Sequence, residues 1–340
     1  MRYIKSLSLL AFAFLVACGQ GGKTSLSPSV QEDLAKLPKN VQSVFYADVQ
    51  ALKDSELGKA VHQEMDSSMV RHHHRDEDYK EFMEATGLDL EKDVRSVLVG
   101  LQAHVDGSEQ IEHMNGAAFA VVKGNFDEAK IISYVQEKEK KEGRTGLVVV
   151  DYNGKKIYSG PRAKHSAYFA DASTVIVGSE EWVKQVIDNK LGDDNLTANA
   201  DLMKLIGQLP HKNQLWAVGM PGELMDRVAS ELSKHEDFKA GNTLRSLKSG
   251  MVSAQINSTA DVWASATCTT KEDSRLMSEA LKGALAMAKL AVSDDRELVD
   301  MLNRFEIEAK GTEVHVSGKI DKVFLEKLKA RHETKKMAAF

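Results

Sequence analysis

From Gln31 to Arg331 the sequence alternates between two hydrophobic periods, and this alternation limits the fold more than any other feature. Short runs rich in β-branched and aromatic residues, at 44–47, 94–101, 116–123, 167–170 and 174–178, read as strands. Between them, Phe126, Ala129, Ile132 and Val135 recur at the spacing of one helix face. Asn125 with Glu128 predicts a capping box for that helix, and Ser179 before Glu180 and Glu181 predicts the start of another. Asn153-Gly154 is the strongest short hairpin signal and predicts a strand pair over 147–159.

The same order of elements then returns. Strands are predicted at 215–220, 251–256 and 262–267, with a helix from Pro221 to Lys234. Thr270 and Asp273 form a capping-box pattern before a long helix to Val292, and 305–309 with 314–320 make a hairpin around Gly311. Leu37-Pro38 is echoed by Leu209-Pro210, 125–135 by 270–281, and 175–178 by 314–318. The fold class expected is therefore α+β, as two tandem βαββαβ-like halves over 31–195 and 196–331. Each is expected to be an antiparallel sheet with helices packed on one face. Residues 332–340 are expected to form a C-terminal tail.

The N-terminus has a different character. Arg2 and Lys5 precede a nearly continuous apolar run from Leu7 to Val16, too short to span a bilayer. Leu15-Val16-Ala17-Cys18-Gly19 follows and resembles the lipobox of bacterial lipoproteins. The resemblance implies that 1–17 is a removed signal peptide and that Cys18 becomes the lipid-bearing first residue. The Gly/Ser-rich stretch 18–30 is then a flexible tether that extends up to about 40 Å. By the sorting pattern of enterobacterial lipoproteins, Gly19 after the cysteine implies the outer membrane, facing the periplasm. The whole chain resembles an uncharacterised group of bacterial envelope lipoproteins with duplicated α+β halves, which supplies no catalytic residues to carry over.

Composition narrows the function classes. The formal net charge of −5 argues against a nucleic-acid partner, which calls for a basic face. Cys18 and Cys268 are the only cysteines, so acylation of Cys18 leaves no intrachain disulfide. Cys268 shares a strand face with Val262, Ala264 and Ala266 and reads as core.

His72, His73 and His74 are the one metal candidate. Adjacent histidines do not share a helix face, and Arg71 and Arg75 flank them, so the run reads as a solvated polar turn. Trp182, Trp216 and Trp263 read as half-buried core, and Ala280, Ala284, Ala288 and Ala291 as a stripe facing inward against a sheet. The sequence has no Gly-x-Ser-x-Gly, His-Glu-x-x-His, phosphate loop or Cys-x-x-Cys.

The expectation is a non-enzymatic, membrane-anchored envelope lipoprotein without a cofactor. It is expected to bind a partner protein or a small envelope ligand. The alternatives are a periplasmic carrier holding an amphiphile in an apolar pocket and, third, a hydrolase. A carrier requires a large apolar cavity, whereas a scaffold requires an exposed apolar patch.

Overall fold

The computed structural model describes residues 26–61, 73–105, 114–143, 146–160, 164–210, 213–222 and 244–337. The chain is α+β, with every strand pair antiparallel among the described residues. It divides into two compact units, 26–54 with 62–204 and 55–61 with 205–340. Segment 55–61 thus belongs with the second unit although it lies within the first half in sequence.

In the first unit α1 (Pro28–Leu34) precedes β1 (Ser43–Asp48) and α2 (Val49–Asp54). After them come α3 (His73–Thr86), α4 (Leu90–Asp93), β2 (Ser96–Val105), β3 (Met114–Lys123) and α5 (Glu128–Lys141). Two hairpins follow, β4 (Val148–Tyr152) with β5 (Lys155–Ser159) and β6 (Ser166–Asp171) with β7 (Thr174–Gly178). Helices α6 (Glu180–Ile187) and α7 (Ala200–Ile206) come last. The strand order is β1-β2-β3-β7-β6-β5-β4.

The β4–β5 turn has Asn153 at φ 50° and Gly154 at φ 72°. Both positive angles are what a two-residue primed turn requires, and this dipeptide tolerates them. Helix α5 starts later than the Asn125–Glu128 pattern suggests. Asp127 is the cap, accepting from the Lys130 N–H at 3.1 Å. Either Asx residue is chemically able to cap, and the path out of β3 selects the second.

Helices cover both faces of this sheet, where one face was expected. Strand β7 reads Thr-Val-Ile-Val-Gly, apolar on alternate sides. Val175 packs in a cluster with Phe126, Phe82 and Ile131, on the side of α3 and α5. Ile176 points to the opposite face, and there Trp182 of α6 lies edge-on to Phe119 at 5.0 Å between ring centres. A strand apolar on both sides has to be covered on both.

The second unit contains β8 (Leu215–Gly219), β9 (Leu247–Ile256) and β10 (Thr259–Cys268). Then come α8 (Lys271–Ala291), α9 (Arg296–Leu302), β11 (Glu306–Lys310), β12 (Glu313–Asp321) and α10 (Lys322–Met337). The strand order is β8-β9-β10-β12-β11. Here α8, α9 and α10 share one face. Val262, Cys268, Val314, Val316 and Ile307 meet Met277 and Leu285 of α8, Leu298 and Met301 of α9, and Phe324 of α10. Leu57 joins this core, and its N–H donates to the Asn257 carbonyl at 2.8 Å. The helix expected from Pro221 to Lys234 falls mostly outside the described residues.

Candidate interaction surface

Helix α8 is the longest described helix, at 21 residues, and its start is fixed by the sequence. The Thr270 hydroxyl accepts from the Asp273 N–H at 3.1 Å, and the Asp273 carboxylate accepts from the Thr270 N–H at 2.9 Å. Two otherwise unpaired donors are thereby satisfied. Ser274 adds a tie to the β11–β12 turn, donating to the Gly311 carbonyl at 2.8 Å.

The inward side of α8 consists of Ser274, Met277, Ser278 and Leu285, with Leu281 half-buried beside them. The outward side is also apolar. Leu276 is 40% exposed, and Met287 and Leu290 are each 66% exposed. Ala280 and Gly283 lie between them and are exposed as well. The spacing of Leu276, Ala280, Gly283, Met287 and Leu290 is four, three, four, three, which places all five on one narrow stripe. The alanines predicted to face a sheet are split. Ala280 and Ala291 are exposed, while Ala284 and Ala288 are half-buried. A four-residue step advances about 40° around the helix, so a chain of such steps leaves one face for another.

Charges line one flank of the stripe. Arg275 donates to Glu272 at 2.9 and 2.6 Å, and it also pairs with Glu279. The Arg275 guanidinium holds the Glu272 carboxyl below the usual carboxylate range. Lys282 and Lys289 stand on the same flank and form no ion pair within 4.0 Å among the described residues.

A second apolar exposure lies at a sheet edge of the first unit. Val148 and Val149 of β4 are 44% and 41% exposed. The terminal strand of the second unit differs: β11 displays Glu306, Glu308 and Lys310, charges that discourage a further strand from pairing.

The residues singled out by sequence are dispersed. Cys18 and His72 lie outside the described residues. His73 and His74 open α3 and so belong to a helix, not to the polar turn expected of them. No group of three or more His, Cys, Asp or Glu able to hold a metal occurs among the described residues. Cys268 is 1% exposed, and Trp182 and Trp216 are buried. No described helix is long and apolar enough to cross a membrane. Leu276, Met287 and Leu290 alternate in sequence with an apolar inner face, so hydrophobic periodicity does not single out the outward stripe.

No family model matches the chain, and no curated protein matches it. Two solved structures of TP0453 are similar to it. Crystal form I has 10% identity and a TM-score of 0.40, covering 88% of this chain and 94% of that one. Crystal form IV has 9% identity and a TM-score of 0.42, covering 85% and 92%. At this distance no residue role is carried across.

Proposed function

We propose that this chain is a non-enzymatic bacterial envelope lipoprotein, anchored through lipid on Cys18, whose α+β body is a docking module for a protein partner. The observation that carries the docking reading is the outward stripe of α8. Leu276, Met287 and Leu290 form a continuous apolar line on a helix whose other face already fills the core of its unit. Isolated exposed apolar residues are ordinary, but a heptad-spaced line of them fits a partner helix.

The anchor reading is supported by the lipobox-like string ending at Cys18 and by the Gly/Ser-rich stretch after it. Gly19 favours the periplasmic face of an outer membrane. Cys18→Ser should abolish lipid labelling and leave an uncleaved precursor. A Cys18→Ser chain that is still lipid-labelled and processed removes the anchor. For the docking reading, Leu290→Glu should abolish crosslinking of the envelope protein to any partner, and unchanged crosslinking removes that reading.

We also infer that the two units descend from one duplicated unit. The support is their common strand order: three strands in sequence, then the last, then the penultimate. Among the described strands, the first unit adds the β4–β5 hairpin. Helices α5 and α8 occupy the same place in each, after the third strand. Alignment of the two halves across related sequences should place Asp127 on Thr270 and Gly178 on Gly318 in one gapped alignment. Failure to place both pairs together removes the duplication.

A further inference from the structure

We propose that the outward stripe of α8 docks antiparallel against α8 of a second copy of this chain, about a two-fold axis beside Gly283. The inference rests on the docking reading above and names the occupant of the surface.

The first observation is Gly283 itself. It lies in the middle of the helix with ordinary helical backbone, and a Cβ built there meets nothing within 4 Å. Nothing among the described residues calls for a glycine there. Glycine in a helix interior is less stable than alanine, so its presence here has to be accounted for outside the chain. Close approach of another helix backbone accounts for it. A lipid surface or a flat protein face gains nothing from the missing methyl group.

The second observation is symmetry. Leu276 lies seven residues before Gly283 and Leu290 seven after it. Antiparallel docking about Gly283 sets Leu276 of each copy against Leu290 of the other, and Ala280 close to Met287. A two-fold interface requires this reciprocity, in which residue i meets j and j meets i. Small residues stand at the centre, where the helices cross, and large ones at both ends, where they fill the widening gap.

Charge is the third observation. Glu279 borders the stripe in its N-terminal half, and Lys282 and Lys289 stand on the same side of the helix but farther round it. At a rise of about 1.5 Å per residue, antiparallel docking brings Glu279 of one copy to within about two residues of Lys289 of the other. Parallel docking about a two-fold axis puts the charged flanks of the two copies on opposite sides of the interface, where they do not meet. The antiparallel arrangement also aligns the helix dipoles favourably.

The test is disulfide trapping of the full chain in the membranes of cells that express it. Gly283→Cys places two thiols beside the axis, within the reach of a disulfide. It should give a reducible band of twice the chain mass, absent from the unaltered chain. Leu276→Cys and Leu290→Cys should each give little of this band alone and much more when co-expressed. Adding Leu290→Glu to Gly283→Cys should reduce the band roughly tenfold or more. Gly283→Ala should raise the thermal midpoint of the dilute protein while weakening self-association. A Gly283→Cys adduct with a different protein overturns the second copy as occupant and leaves the docking reading intact. A thiol at 283 that stays free and reactive in the membranes overturns both.

Discussion

The indole of Trp182 covers Gly178 so closely that a Cβ at Gly178 would overlap Trp182 Cε3. The ring is held from three sides. Phe119 meets it edge-on, Ser179 caps the helix that carries it, and its Nε1 donates to the Lys36 carbonyl at 3.0 Å. The last strand, the following helix and the segment after α1 all converge on this one side chain. Gly178→Ala should therefore lower stability by about 1–3 kcal/mol, since the overlap is with a ring that has no room to move. Thermal unfolding of the variant checks this, and an unchanged midpoint would show that the indole is free to shift.

The Thr270–Asp273 box starts the helix that carries the docking stripe. Thr270→Ala removes the hydroxyl that accepts from the Asp273 N–H and should cost about 1 kcal/mol. Thr270→Ser keeps the acceptor and should cost much less. Urea midpoints of the two variants make the comparison. Equal losses would mean that the threonine methyl group, not the cap, is what matters.

Local chemistry was legible wherever neighbours in sequence are also neighbours in space. Asn153-Gly154, Ser179 and Thr270–Asp273 each specify a turn or cap from within a few residues, and each forms as expected. Where two nearby residues could do the same task, sequence alone chose wrongly, as with Asn125 in place of Asp127. The direction of α8 was not legible for a different reason. Met277, Leu281 and Leu285 trace one apolar line and Leu276, Met287 and Leu290 another, so periodicity finds the helix without saying which side meets the sheet. Segment 55–61 joins the second unit through Leu57, a partnership that spans about two hundred residues and leaves no local mark.

Asp321 links stability to pH. Burial pushes its carboxyl up, but the Arg304 guanidinium and the Phe324 N–H at 2.8 Å outweigh this and hold it below the usual carboxylate range. A carboxyl depressed on folding contributes stability above its unfolded value, near pH 4, and loses that contribution as pH falls through the lower folded value. Asp321→Asn keeps an acceptor for the start of α10 and removes only the charge. At pH 7 it should cost no more than about 1 kcal/mol, because Arg304 is partly solvated. The gap between variant and parent should close in acid, below pH 3. A gap that persists unchanged at pH 2 would assign the effect to packing and not to charge.

Cys268 allows the anchor and the core to be read in one experiment. Its side chain is buried on the inner face of β10, and burial pushes its thiol up, so little reactive thiolate is present near neutral pH. The folded chain should react with a thiol reagent at Cys268 far more slowly than a small-molecule thiol, with a rate that follows opening of the second unit. Full denaturation then counts the cysteines. The sequence has two, and lipid on Cys18 consumes one. Protein purified from membranes should release one titratable thiol in denaturant, while uncleaved precursor should release two. Two thiols in the processed protein would remove the lipid from Cys18. Fast labelling of the native chain at Cys268 would take that residue out of the core.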